Sequence, residues 1–411
     1  MTRLVNDPVE FSAELVDGFI QANTRYVRPV YGGVVRSTET KPGKVAIVTG
    51  GGLGHYPGFM GWVGPGLVDG AVTGKVFASP AASQVLSVAK AADHGGGILL
   101  AYLNYAGDML QFGMAGELLK ADGFDVRSAA VTDDVASAPV EETDKRRGIA
   151  GGLAVLKVTS AAAEAGMTLD QVTAVCQLAN DRTRTCGIAF SGCTLPGADE
   201  PLFEVTEGKM AVGLGVHGEP GIYETDLGTA DDVAQLLVDT LMNEVPQGAG
   251  TRVVAMLNGL GSAKYEELFV TFTSVTSKLR DAGLDVVDGQ PERRDQLSER
   301  SPRADSSAID KRACRVEEGG FIIRDDAVYG AFISFTQFDT YVALVRIRFP
   351  YIGYVIWLAQ VVLEVLVRAL VRELRQSKLL GGKVLVEVEL IQSWRWKFTK
   401  CRWEDSRIQW R

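Results

Sequence analysis

The chain has only three histidines in 411 residues, and two of them stand in glycine-rich loops. His217 lies in Gly213-Leu214-Gly215-Val216-His217-Gly218-Glu219-Pro220-Gly221. The glycines leave little bulk around the imidazole, and Pro-Gly makes a rigid exit. A neutral imidazole nitrogen in such a place is a nucleophile or a proton acceptor. A satisfied core histidine fits the same loop, and the loop alone does not separate the two. His55 lies in Gly50-Gly51-Gly52-Leu53-Gly54-His55-Tyr56-Pro57-Gly58, directly after the apolar run KVAIVTG at 44–50. Glycines behind a strand let backbone N–H groups approach oxyanions or hydroxyls, and a turn leading toward a helix N-terminus suits such ligands. A dinucleotide-binding turn looks similar, as does a tight turn with no ligand. No GxxxxGKS/T occurs at this turn, so it is not a Walker nucleotide loop. His94, in AADHGGG, is expected at an exposed helix end, where a histidine favours the helix dipole.

The elements that must position these residues follow from periodicity. Residues 8–27 read as an amphipathic helix with Phe11, Leu15, Phe19 and Ile20 on one face. Short apolar, β-branched runs at 44–50, 97–107 and 125–134 read as buried strands, and 108–124 between the last two has helical spacing. Asp108 before MLQFGMAGELL and Ser79 before PAASQVLSVAKAA are each placed to cap a helix. Strands alternating with helices indicate an α/β fold with largely parallel or mixed sheets flanked by helices. A second unit starts within the helix-forming stretch 150–180 and runs through CGIAFSGCTLP (186–196), KMAVGLGVHGEPG (209–221), a helix at 231–245 and a strand at 251–261. Three regions are expected: 1–180, 181–290 carrying His217, and an atypical tail at 291–411.

Composition excludes several classes. A formal net charge of −9 argues against nucleic acid as a partner. Five cysteines without CxxC spacing imply neither a disulfide framework nor a zinc site, and a reducing cytoplasm is the expected compartment. The N-terminal residues lack the apolar run of a signal peptide. The charge is uneven: −14 up to residue 290 and +5 after it. Five of the six tryptophans fall after residue 290, and 40 of the 46 glycines before it.

Four segments, GGGLGHYPG (50–58), GKVFASP (74–80), NYAGDMLQF (104–112) and GLGVHGEPG (213–221), stand in the order and approximate spacing of the ketose-binding K subunit of dihydroxyacetone kinases. CGIAFSGCTLP (186–196) and LNGLG (257–261) add to the resemblance, which covers about 8–290. It implies a two-domain α/β fold that holds a short-chain ketose such as dihydroxyacetone or erythrulose. His217 matches the histidine that adds to the ketone as a covalent hemiaminal. A bond to a carbonyl discriminates ketoses from polyols by reaction rather than by contacts alone. His55 and Asp108 match the residues that act on the attacking hydroxyl as general base and orienting partner. Gly52, Gly54 and Ser79 match positions that bind substrate hydroxyls, and Leu53, Leu103 and Gly218 stand at further substrate-side positions. The resemblance also implies a homodimer, and a separate L-type domain or subunit that carries ATP or ADP with Mg²⁺. No DxDxGD-like aspartate cluster occurs in the chain, so neither nucleotide nor metal is expected on it.

The sequence departs from the family at three places. Leu53 and Tyr56 replace serine and glutamate of the common glycine turn, and Leu103 replaces a lysine. Losing an ammonium changes which hydroxyls the pocket tolerates, so a four-carbon ketose is expected. The tail reads as a linker at 291–320 and a 19-residue apolar run at 349–367, where Glu364 disfavours a membrane span. With no further α/β pattern after 290, the second sheet is expected to lack its last elements and to expose an edge. A non-catalytic ketose-binding or regulatory module is the alternative reading. An oxidoreductase is disfavoured because no acidic residue about 20 positions past the glycine turn marks a ribose site.

Overall fold

AIVTGGGL forms β3 (Ala46–Leu53), with all eight residues buried. A strand apolar on both faces needs cover on both, and here helices supply it. The computed structural model describes residues 4–260 and 263–286, together with the backbone of short strands within 328–335, 385–386, 401–404 and 407–410. It divides into Met1–Ile347 and Arg348–Arg411.

The first sheet begins with β1 (Val27–Val30) and β2 (Gly33–Arg36), an antiparallel hairpin. After β3 come β4 (Gly70–Val76), β5 (Ile98–Leu103) and β6 (Val126–Val131). The order is β1-β2-β4-β3-β5-β6, and the four strands β4, β3, β5 and β6 are parallel. Alternate residues serve opposite cores. Ile47, Leu99, Ala101 and Leu103 pack with α1 (Phe11–Ala22), α4 (Gly152–Glu164) and α5 (Leu169–Asp181). Ala46, Val48, Ile98, Leu100 and Tyr102 pack with α2 (Ala82–Ala92) and α3 (Ala106–Ala121) on the other face. This period-2 division is what a helix-covered parallel sheet requires.

The second sheet contains β7 (Thr183–Ala189), β8 (Lys209–Val212), β9 (Tyr223–Asp226), β10 (Arg252–Gly259), β11 (Asp285–Val286) and β12 (Val328–Phe335). Their order is β11-β10-β12-β7-β8-β9, with β10 and β11 parallel and the other pairs antiparallel. Its core is closed by α6 (Ala230–Met242) and α7 (Tyr265–Asp281). Arg348–Arg411 contains an antiparallel sheet of β13 (Leu385–Val386), β14 (Cys401–Glu404) and β15 (Arg407–Trp410).

The α/β architecture expected from the sequence is present, with four local differences. The long helix at 8–27 stops at Ala22, and the chain enters β1 at Val27. Gly50–Gly52 do not form a turn; they continue β3, and the turn begins at Gly54. That turn leads into a short 3-10 segment, Met60–Trp62, and then β4, so no α-helix N-terminus follows the glycines. The second sheet is also not left open between β7 and β10. VYGAFISF at 328–335 is rich in β-branched and aromatic residues, and it occupies that slot as β12. The linker at 291–320 and the apolar run at 349–367 lie outside the described residues. Among the described residues no helix is long and apolar enough to cross a membrane.

Candidate functional site

Three neighbouring parallel strands, β4, β3 and β5, end side by side, and each is followed by a polar group. Phe77 and Ser79 follow β4, His55 follows β3, and Asp108 follows β5 in the first turn of α3. Carboxyl ends of parallel strands, where the strand order turns back on itself, are where α/β proteins place ligands. The fourth contributor comes from the other sheet, in the β8–β9 loop that carries His217. Positive φ at Gly213 (76°) and Gly218 (85°) lets that loop fold tightly, and a Cβ on Gly218 would lie 2.3 Å from Phe203.

The two histidines meet. His55 Nε2 and His217 Nε2 are 2.9 Å apart, one donating and the other accepting. His55 stacks on Phe77 at 4.9 Å between ring centroids, and His217 meets Phe77 and Tyr105 edge-on at 5.3 and 4.9 Å. Burial, together with the neighbouring His217, lowers His55 to about 3 against a smaller opposing pull from Glu219. It is therefore neutral at physiological pH.

Asp108 is not the N-cap of α3; Tyr105 holds that position. Asp108 lies within the first turn, 6% exposed, and its Oδ1 has no hydrogen-bond partner among the described residues. Burial raises it to about 6, although a hydrogen bond with Ser79 and the nearby His217 pull the other way. Ser79 likewise does not cap α2, whose N-cap is Ala81. Its hydroxyl lies near enough to Asp108 to favour the ionised carboxylate, and Gly107 leaves it room, since a Cβ there would lie 2.5 Å from Ser79 Oγ. Tyr105, whose ring packs edge-on against His217, likewise has a buried Oη with no hydrogen-bond partner among the described residues.

Other sequence candidates make close packing contacts. A Cβ on Gly52 would lie 2.6 Å from the Ala78 backbone nitrogen, and one on Gly54 2.6 Å from the Phe77 ring. These glycines let the 77–79 segment close against the turn. Leu53 and Leu103 are buried in the same apolar core, Leu103 against Gly148 and Gly152. His94 is partly buried just beyond α2 rather than exposed, and burial lowers its pKa.

Sequence reasoning passed over Glu219, Phe77 and Arg147. Glu219 Oε1 lies 2.8 Å from His217 Nδ1, and Oε2 accepts from the His217 backbone N–H at 3.0 Å. The signal was an acidic residue two positions after a histidine in a turn. Phe77 has φ 53°, a conformation no residue pattern announced. Arg147 ties the His217 loop to the segment that follows β6, bonding Asp134 at 2.8 Å and donating to the Gly213 carbonyl at 2.9 Å.

A family model described as the Dak1 domain matches residues 17–290. The chain is 56% identical over 292 residues to L-erythrulose kinase of Pectobacterium atrosepticum, covering 70% of this chain and 50% of that protein. It thus spans about half the length of that relative. It is 38% identical over 289 residues to the dihydroxyacetone-binding subunit DhaK of the PTS-dependent dihydroxyacetone kinase 2 of Listeria innocua, covering 70% of this chain and 87% of the subunit. The fold resembles the crystal structure of dihydroxyacetone kinase from C. freundii in complex with AMP-PNP and Mg²⁺, with TM-score 0.68 and 27% identity over 82% of this chain and 58% of that one. With the family model matching well over half its length, the chain belongs to the Dak1 domain family.

Proposed function

We propose that the chain is the ketose-binding component of a kinase for short-chain ketoses. His217 Nε2 adds to the ketone carbon, and Asp108 acts on the terminal hydroxyl that receives the phosphoryl group. The observation that carries this reading is the 2.9 Å contact of His217 with His55 beyond the end of β3, beside an Asp108 that feels the charge of His217 and whose Oδ1 has no hydrogen-bond partner among the described residues. A ring nitrogen supplies the nucleophile, and the covalent bond fixes the substrate for the second step. Asp108, raised to about 6, is ionised at neutral pH and a stronger base than an unperturbed carboxylate. His55, lowered to about 3, is a poor acceptor but remains a neutral hydrogen-bonding partner. We therefore assign the base to Asp108 and orientation to His55.

Identity with an L-erythrulose kinase supports a four-carbon ketose such as erythrulose as substrate. Phosphoryl transfer needs a donor and normally a metal to neutralise its charge. Among the described residues no group of three His, Cys, Asp or Glu could hold a metal ion. In this reading donor and metal belong to a separate L-type domain or subunit, and the chain forms a homodimer. The test is carbon NMR with dihydroxyacetone or erythrulose labelled at the ketone carbon. Binding should move that signal from the ketone to the saturated hemiaminal range. A signal that stays a ketone in folded protein contradicts the reading.

A further inference from the structure

Glu219 leaves the His217 ring little choice of tautomer. Its Oε2 accepts from the His217 backbone N–H at 3.0 Å, which turns the carboxylate back toward the ring, and Oε1 lies 2.8 Å from Nδ1. An ionised carboxylate only accepts. Burial opposes the charge of Glu219, but the hydrogen bond and attraction from His217 outweigh burial and hold the carboxyl at about 2. Nδ1 therefore carries the proton. In a neutral imidazole the other nitrogen then presents a lone pair, so His217 Nε2 is the accepting partner across the 2.9 Å contact. His55, held neutral, donates through its own Nε2–H.

The carboxylate is itself held in place. A Cβ on Gly215 would fall 2.1 Å from Glu219 Oε2 and 2.6 Å from Arg147 Nη1, so bare backbone at 215 makes the space that both occupy. Arg147 in turn is fixed by Asp134 and by the Gly213 carbonyl.

We infer that Glu219 is the positioning residue for His217: it holds the Nδ1–H tautomer, leaves Nε2 as the nucleophile, and balances the positive charge the ring gains on bonding to a ketone. The inference rests on the ketose capture proposed above. In the step itself the Nε2 lone pair forms the C–N bond. The carbonyl π pair moves to oxygen, which takes one proton from solvent. The ring is left as an imidazolium whose charge faces Glu219 Oε1, and it becomes neutral when the Nδ1 proton returns to solvent. Before this, the ketone must displace the hydrogen bond from His55, because that bond occupies the same lone pair.

The test uses full-length protein labelled with ¹⁵N-histidine, in which only three rings contribute signals. Two-bond nitrogen–proton correlations report the tautomer of each ring. Wild type should show His217 protonated on Nδ1. Glu219→Gln keeps an oxygen acceptor and should keep that tautomer, whereas Glu219→Leu should lose it. Ketose uptake is then followed by intact mass over a dihydroxyacetone concentration series, with thermal melts showing that each variant is folded. The half-saturating concentration should rise roughly 10- to 100-fold in Glu219→Gln, as expected for losing the charge from a hydrogen bond of this kind. It should rise further in Glu219→Leu. A merely structural brace would lower the melting point without this ordering. His217 protonated on Nε2 in wild type, or wild-type uptake by both folded variants, overturns the inference. Wild type that shows the Nδ1–H tautomer but takes up no ketose overturns the capture reading instead.

Discussion

Replacing Asp108 by asparagine should stabilise the fold while removing the proton acceptor. Burial raises the Asp108 carboxyl from 3.8 to about 6, a shift of about two units. At about 1.4 kcal/mol per unit, the ionised group costs the folded state up to about 3 kcal/mol at neutral pH. The sign follows from linkage, since a carboxyl raised on folding binds its proton more tightly in the native state. The cost is absent below the unfolded value, grows as pH rises, and is complete above the folded value of about 6. The amide of Asp108→Asn has no charge to bury and keeps an oxygen for the Ser79 hydroxyl. Urea unfolding of wild type and Asp108→Asn should thus give nearly equal stabilities near pH 4. By pH 8 the variant should lead by on the order of 1–3 kcal/mol. Ketose capture should survive, because His217 is untouched. Phosphoryl transfer with a nucleotide-bearing partner should fall by roughly 10²- to 10⁴-fold, the usual contribution of a general base. A variant no more stable than wild type at pH 8, or a gap that ignores pH, would refute the reasoning.

Other perturbations probe neighbouring parts of the site. His55→Phe keeps a ring to stack on Phe77 but frees the His217 lone pair; adduct formation should persist and transfer should drop, as intact mass and coupled kinetics would show. Gly215→Ala places a methyl 2.1 Å from Glu219 Oε2, so ketose uptake should weaken with a smaller loss of melting temperature. Arg147→Met leaves Asp134, 1% exposed, without its cation. The melt should reveal a loss of about 3 kcal/mol, largely recovered when Asp134→Asn is added.

Much of this was legible in the sequence because parallel strands are written as unbroken apolar runs. KVAIVTG and GILLAYL could be read as strands without their partners, and the motifs after them named His55 and Asp108. His217 was legible as a loop histidine, though its partner was not. Nothing local says that the β8–β9 loop meets the end of β3, since that contact crosses 162 positions. The glycine run misled for a physical reason. Gly50, Gly51 and Gly52 lie in a strand packed closely on Val72, Phe59 and the Phe77–Ala78 backbone in turn, and close packing selects glycine as readily as a turn does. Ser79 and Asp108 both look like helix caps because a cap and a buried acceptor use the same side chains; only their meeting in space separates the roles. β12 was missed because its pairing partners lie more than 65 positions away.

The most direct test of the central claim is the intact mass of the full-length protein after incubation with erythrulose or dihydroxyacetone and gentle buffer exchange, beside His217→Ala. One ketose should be retained per chain in wild type and none in the variant. Retention by a folded His217→Ala protein, or no retention by folded wild type, would contradict covalent capture at His217.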